Sequence, residues 1–505
     1  MPLLPLRPHQ QVALDGLKRS VSAGKRRPVL LLPTGAGKTV IAAHMIQGAL
    51  GKRKRVAFAV PALSLIDQTF SRFSENGIPV GDMGVMQADH PWRRPNAPVQ
   101  ICSIQTIAKR GFPEVDFCIV DENHLRFEVI DKWMASAPEK IFVGLSATPW
   151  ARGMGDHWDD LIIPTSIAEL IEQGYLSKFR VFAPSHPDLS GVKIVAGDYH
   201  EGQLSGVMSG AKIVADVVAT WLDKGDDQPT LCFAVDRGHA QALHDQFASV
   251  GVTSAYVDAN TEREERARII GKFQSGEVKV ICSIGTMTTG VDVDCRCIIM
   301  ARPTKSEILF VQCIGRGLRP APGKEYCKIL DHSDSHLRLG MVTDIFHDTL
   351  RTSKGDADRK EKREEERVTP KPFECPKCTR LIPYKALECE CGWVSRRPNK
   401  VQVCDGELRE LGASGPRMKR EPAIERLKRE GEQAIYSQLL GMQGTKKDGW
   451  VSHKFRAIFD RYPSRFLLRD PHEPSSAMRS WIRSEQIRWV KSRPRQSEGY
   501  AHAAE

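Results

Sequence analysis

Val29 to Thr39 reads VLLLPTGAGKT, and its residue types are those of an anion site. Gly35 and Gly37 let the backbone turn its N–H groups toward a phosphate, with Thr34 and Ala36 completing the loop. Lys38 can reach β- and γ-phosphates, and the Thr39 hydroxyl can ligate Mg²⁺. Leu32 stands where the usual pattern of such a loop has a glycine. A second piece of chemistry ends the run VDFCIVDENH, Val115 to His124. There a carboxylate (Asp121) can hold Mg²⁺ and its neighbour (Glu122) can position an attacking water. Paired acids after a strand also serve as helix N-caps. In QCIGRGLR, Gln312, Arg316 and Arg319 recur on one helix face. Guanidinium forks suit a phosphate, and such a pair can equally bridge surface acids.

Three further groups carry weaker chemistry. In LRPHQ the Gln10 amide offers a donor and an acceptor, which suits an adenine edge, although a polar residue there is also a cap. Cys375 and Cys378 have the two-residue gap of a zinc knuckle, whereas one residue separates Cys389 from Cys391. In a reduced compartment four close thiols favour Zn²⁺ over disulfides, and Cys404 is an alternative fourth ligand. DHSDSH, Asp331 to His336, has no second cluster to complete a metal site and is read as a polar loop.

These groups need elements to hold them. Apolar runs alternate with segments of helical spacing, which predicts parallel sheets with helices on both faces and a ligand cleft at the strands' carboxyl ends. Residues 1–150 form one such α/β lobe. Its strands are read at VLLL, at VAFAV, at Val99 to Ile107, at the run ending in Asp121, and at IFVGLSATP. Residues 151–210 are read as an inter-lobe connection with a strand near Phe179 to Ala183. A second α/β lobe occupies residues 211–350. A charged linker is expected over 351–370, a small cysteine module over 371–400 and a basic, mainly helical region over 401–505.

With 505 residues, 41% hydrophobic and 27% charged, the composition is that of a globular chain of about three to four domains. No run of eighteen apolar residues occurs, so a membrane span is not expected. The first residues lack a basic segment followed by a long apolar one, so the expected compartment is the cytoplasm. Most of the 13 cysteines, such as Cys118, Cys232 and Cys282, then read as small core residues. Net charge is +11, and residues 371–505 hold 27 basic against 17 acidic side chains, leaving +1 for the remainder. That asymmetry points to a polyanion, or to a solvated basic surface. Trp450, Phe455, Phe459, Trp481 and Trp489 are interleaved with the basic residues, at a spacing that favours a small core over base-stacking platforms.

PTGAGKT, DENH, SAT, TTGVDVD and QCIGRGLR follow one another in an order that resembles a superfamily 2 helicase of the DEAD/DEAH-box kind, with two RecA-like lobes. LRPHQQ, GRGLRPAPGK and the cysteine cluster narrow the resemblance to the RadD type of bacterial and phage DNA repair helicase. It covers about Leu6 to Trp393, and KKDGWVSHKF also resembles a segment of phage-type members. The resemblance implies an ATP-dependent DNA helicase or translocase that requires Mg²⁺ and Zn²⁺. Single-stranded or branched DNA would be the partner rather than RNA, with a single-strand-binding or other repair protein as a further partner. It implies that Gln10 and Arg7 read adenine, that Lys38 and Thr39 hold phosphate and Mg²⁺, and that Asp121 takes the metal and Glu122 the water. Ser146, Thr148 and Gln312 would couple hydrolysis to lobe movement. Gly290 and Asp292 would meet the nucleotide from the second lobe, and Arg316 and Arg319 would reach its γ-phosphate. Asn123 departs from the usual residue of its box. Two other readings are a nucleic-acid clamp that hydrolyses ATP without unwinding, and the motor subunit of a restriction complex.

Overall fold

The computed structural model describes residues 3–87, 90–184, 186–195, 197–285, 287, 293–353, 371–384, 386–394, 423–444, 449–475, 477–479, 481–482 and 485. The chain divides into two compact units, Met1–Pro398 and Asn399–Glu505. Gly290, Asp292, Cys404, Trp489 and most of the expected linker lie outside the described residues.

Among the described residues the first unit holds two large sheets and a two-stranded hairpin. One contains β1 (Pro28–Leu31), β2 (Val56–Val60), β3 (Met83–Val85), β4 (Val99–Ser103), β5 (Phe117–Asp121), β6 (Ile141–Ser146) and β7 (Asp160–Ile162), in the order β3-β4-β2-β5-β6-β1-β7. Every pairing in it is parallel. A parallel sheet is covered on both faces, which is why β1, β2 and β4 are apolar and buried without alternation. The stretch Val99 to Ile107, read as one strand, is two elements. Ser103 ends β4, and its Oγ accepts the Thr106 N–H at 3.1 Å and caps the helix Ile104–Arg110.

The segment expected as an inter-lobe connection supplies strands to both sheets. β7 pairs with β1, and β8 (Lys178–Phe182) pairs with the second sheet. Between the lobes' main strands lies a short hairpin of β9 (Ile194–Val195) and β10 (Asp198–Tyr199). The second sheet adds β11 (Thr230–Phe233), β12 (Ser254–Val257), β13 (Val280–Ser283), β14 (Cys297–Met300), β15 (Tyr326–Asp331), β16 (Phe373–Glu374) and β17 (Arg380–Ile382). Its order is β12-β13-β11-β14-β15-β8-β17-β16. β16 and β17 come from the cysteine segment, and β17 runs antiparallel along β8. No helix among the described residues is long and apolar enough to cross a membrane.

The helix Glu307–Gly317, which carries Gln312 and Arg316, packs onto the second sheet at close range. Gly317 permits that approach: a methyl there would strike Cys327 Sγ and lie 2.8 Å from Ile298 Cγ1. Its C-terminal end is held by Lys324, whose Nζ donates to the carbonyls of Gly317 (2.6 Å), Cys295 (2.6 Å) and Arg319 (2.7 Å). A cation on the last carbonyls also complements the helix dipole.

In the second unit the described helices are Ala423–Arg429, Glu432–Gly441 and Trp450–Phe459. Their core contains Leu427, Ile435, Leu439, Phe455, Ile458, Met478 and Trp481, with Trp450 and Phe459 packed against it. Four of the five interleaved aromatics are therefore core residues.

Gly317→Ala is expected to destabilise the first unit by about 1–3 kcal/mol, because the added carbon has no room. The midpoint of thermal or urea unfolding measures it, and an unchanged midpoint would show that helix and sheet can part at no cost.

Candidate active site

β1 delivers the chain into a loop at the sheet's carboxyl edge, and the helix Lys38–Leu50 leaves from it. Gly37 has φ +86°, a left-handed conformation that glycine adopts without strain, and a Cβ there would strike the Gln10 amide. This helix has no side-chain cap and no acid in its first turn. An uncapped helix start presents unsatisfied N–H groups and positive potential, the requirement for holding phosphate.

Thr34, Gly35, Gly37, Lys38 and Thr39 line a cleft of about 310 Å³, together with Asp121, Glu122, Arg72, Arg316 and Arg319. The structure thus brings the loop, the acid pair and both expected arginines to one place. Arg319 lies with its Cγ beside Gly35, and Gly315 of the arginine-bearing helix approaches Thr34 as closely as side chains allow. Lobe two is seated on the phosphate loop itself.

The acid pair is half-buried at the cleft wall. Burial and the adjacent Glu122 charge push the Asp121 carboxyl up to about 6. Burial also pushes Glu122 up, but the Lys38 charge and hydrogen bond, with the Arg316 charge, outweigh it and the net direction is down. Lys38 Nζ donates to Glu122 Oε1 at 3.0 Å. Glu122 has φ +48°, a strained conformation of the kind that persists where surrounding structure over-determines it. Thr39 and Asp121 offer hard oxygen donors in the same cleft, the ligand type that suits a divalent cation such as Mg²⁺.

Coupling residues meet at His124, which sequence reasoning passed over. Burial drives the His124 imidazole down to about 4, so the ring is neutral at pH 7. Gln312 Nε2 donates to its Nε2 at 2.8 Å, so the ring proton resides on Nδ1 and is donated to Ser146 Oγ at 2.9 Å. Ser146 Oγ also accepts the Thr148 N–H at 3.0 Å. His124 Nδ1 is 3.5 Å from Glu122 Oε2. One ring therefore joins the acid pair and the end of β6 to lobe two. The available signal was a histidine directly after the acid box. Lys324, which holds the arginine-bearing helix, was likewise missed.

Arg7 and Gln10 are not brought to the wall of this cleft. Gln10 is buried, its Nε2 donates to the Ala36 carbonyl at 3.0 Å, and its Oε1 accepts the Arg7 N–H at 2.9 Å. His9 Nε2 also bonds to Ala36 O at 3.0 Å, and the Arg7 guanidinium lies over the Tyr175 ring. As placed, this group grips the back of the phosphate loop. The DHSDSH stretch, read as a polar loop, is instead a buried junction: Asp331 ends β15 and accepts the N–H groups of Ser333 (2.9 Å) and His336 (2.8 Å), the latter in the helix Ser335–Leu339. Burial raises the Asp331 carboxyl, but these bonds and His336 hold it well below the usual range.

Cys375, Cys378, Cys389 and Cys391 place their sulfurs within 4.8 Å of one another. The Cys375–Cys391 and Cys378–Cys389 separations are 3.6 and 3.7 Å. Tetrahedral thiolates on zinc stand about 3.8 Å apart, from a Zn–S bond of about 2.3 Å, whereas a disulfide needs about 2.05 Å. The single residue between Cys389 and Cys391 is Glu390, whose Oε2 accepts from Arg180 of β8 and Arg380 of β17, both at 2.8 Å. The shortened gap thus fastens the cluster to the second sheet.

Residues 3–151 match the family model of the type III restriction enzyme res subunit, and residues 212–321 that of the helicase conserved C-terminal domain. These two models fall on the two lobes that form the cleft. Together they support a superfamily 2 helicase of the DEAD/DEAH-box kind. The chain is 32% identical over 359 residues to a Saccharomyces cerevisiae protein provisionally named ATP-dependent helicase IRC3, covering 65% of this chain and 51% of that protein. The chain therefore spans about half the length of this yeast relative. The ATP-dependent DNA helicase uvsW of Enterobacteria phage T4 is 23% identical over 339 residues, covering 61% of this chain and 66% of its own. Among solved structures, a fragment of a provisionally assigned HsdR subunit of a type I restriction enzyme from Vibrio vulnificus YJ016 shares the fold. Its TM-score is 0.53 at 22% identity, over 68% of this chain and 67% of the fragment.

His124→Ala leaves Gln312 and Ser146 facing a buried gap and is expected to destabilise the closed lobes by about 1–3 kcal/mol. A double-mutant cycle with Gln312→Ala checks the bridge directly. Energies that add to within about 0.5 kcal/mol would show that the two side chains are not coupled.

Proposed function

We propose that this chain is an ATP-dependent DNA motor, a helicase or translocase, with ATP held between the two lobes. The observation that carries this is one cleft in which Arg316 and Arg319 of lobe two face Lys38, Asp121 and Glu122 of lobe one. Lys38 and the start of its helix hold the phosphates, and Glu122 accepts the proton of the attacking water. Thr39 and Asp121 would hold Mg²⁺, which supplies charge neutralisation on the phosphates when bound. Arg316 and Arg319 stabilise the negative charge of the transition state. ATP bridges the lobes, hydrolysis removes the bridge, and a strand bound across both lobes feels each opening and closing. The Gln312–His124–Ser146 chain is the route by which the state of the acid pair reaches lobe two.

DNA is the favoured polyanion. The phage relative is named a DNA helicase, and the basic excess of residues 371–505 supplies phosphate contacts. Within the superfamily, the sequences LRPHQQ and GRGLRPAPGK and the following thiol cluster support a RadD-type repair role in the cytoplasm. Comparing DNA and RNA as stimulants of ATP hydrolysis tests the substrate, and stronger stimulation by RNA would overturn it. Zn²⁺ is the metal proposed for the four thiols, where it would tie β16 and β17 to the edge of lobe two.

Glu122→Gln is expected to bind ATP but to hydrolyse it about 10²- to 10⁴-fold more slowly, because the proton acceptor is gone while Lys38 is released. Arg319→Ala should lower turnover about 10³-fold with little change in nucleotide affinity. Steady-state ATPase and equilibrium nucleotide binding separate these effects. Wild-type turnover in Glu122→Gln would falsify the assignment.

Elemental analysis of protein purified without chelator should find one zinc per chain, lost on replacing Cys375 and Cys378 by serine. Retention of zinc by that variant would place the metal elsewhere.

A further inference from the structure

Large apolar side chains grouped on a surface carry information, because folding alone gives no reason to leave them there. In the second unit, Phe466 is 94% exposed, Leu468 70% and Tyr462 54%. They lie on the loop that follows the helix Trp450–Phe459. Leu467, between the first two, packs against the unit's core. Gln433 clamps the Leu468 backbone from both sides, its Nε2 donating to Leu468 O and its Oε1 accepting the Leu468 N–H, each at 2.9 Å. Further on, the His472 N–H donates to Ser437 O at 3.1 Å. The His472 backbone lies so close to Gly441 that no Cβ would fit between them. The loop is thus fastened at Leu467, Leu468 and His472, and the outward setting of Phe466 is built in.

Arginines outnumber acids around these rings. Residues 456–470 contain four arginines and two acids, Asp460 and Asp470. Arg456 Nη1 donates to the Tyr462 hydroxyl at 2.9 Å and its guanidinium lies 5.0 Å from the ring centre, which fixes that ring. Arg461 is paired with Glu432. Arg465 and Arg469 are exposed, one beside Phe466 and the other beside Leu468.

Flat aromatic faces among arginines match one kind of ligand, a strand whose bases are unpaired and whose phosphates lie between them. A duplex hides its base faces, and an apolar peptide would gain nothing from the arginines. We infer that the loop 460–471 is a docking surface for single-stranded nucleic acid, with Phe466 and Tyr462 stacking on bases and Arg465 and Arg469 contacting phosphates. The inference rests on the reading of this chain as a nucleic-acid motor and names a contact that the motor cleft does not contain.

Anisotropy of labelled oligothymidylate, and of a matched strand of abasic sites, tests it on the full chain. Phe466→Ala is expected to weaken oligothymidylate binding between about fivefold and about a hundredfold, and to leave abasic binding unchanged. Phe466→Leu should behave as Phe466→Ala, and Phe466→Tyr should bind as the wild type does. Arg465→Gln should weaken both strands and lower the slope of log affinity against log salt by about 0.7. Thermal unfolding confirms that each variant is folded. Undiminished oligothymidylate binding by Phe466→Ala, or equal losses on both strands, overturns the stacking role. A changed sedimentation mass in that variant, with binding intact, overturns it in favour of a contact between copies of the chain. Should the wild type bind neither strand and gain no ATPase from nucleic acid, the motor reading itself falls. Wild-type binding with an indifferent Phe466 removes only the loop.

Discussion

Two adjacent carboxylates at the end of a buried strand are the constraint on which the rest of this structure depends. Asp121 and Glu122 are both partly withdrawn from water, and like charges so placed are costly without cations nearby. Lys38 answers from the neighbouring loop at 3.0 Å, and Arg316 answers from the other lobe. No single sheet supplies both. The electrostatic demand of the acid pair is therefore a force holding two lobes together, and the same cations are those that an anionic nucleotide would recruit.

The hydrogen-bond wiring follows the same division. A neutral His124 is useful because it is donor on one side and acceptor on the other, and so links Ser146 of lobe one with Gln312 of lobe two. A charged ring would donate on both sides and could not accept from the Gln312 amide. Burial, which drives the imidazole down to about 4, keeps the bridge intact across the physiological range. Lys324 performs the matching task beyond the cleft, tying off the carbonyl end of the helix that carries Gln312 and Arg316. The arginines reach the cleft because that helix is fixed at its end and pressed against β14 and β15 at Gly317.

The thiol cluster serves the same lobe. Its strands close the edge of the second sheet beside β8, and an unpaired β8 edge would otherwise be open to other chains. Glu390, between two of the cysteines, draws in arginines from β8 and β17 and so aligns the cluster with the sheet. The second unit contributes something different, a compact helical core from which an aromatic and arginine-bearing loop is presented outward.

The local chemistry was legible in the amino-acid order, because backbone turns, apolar strands and strand-end acids are set by neighbours in sequence. The Gly35–Thr39 loop, the Asp121–Glu122 pair, the two α/β lobes and the four thiols all fall in this class. Other features depended on residues far apart in the chain. β7, assigned by its position to a connection, became a sheet strand because it found the β1 edge, and the strand read near Phe179 to Ala183 joined the second sheet as β8. Gln10, whose amide suits an adenine, is turned to Ala36 by the close approach of Gly37. His124 acquired its role only when lobe two set Gln312 against it, a partner 188 positions away. In the second unit, spacing identified Phe455 and Trp481 as core residues, whereas the exposure of Phe466 was decided by where Leu467 and Gln433 hold the loop. Sequence determines which chemistry each segment can offer. Tertiary packing decides which groups are spent on one another and which remain turned toward a ligand, because burial and partner geometry exist only once distant segments meet.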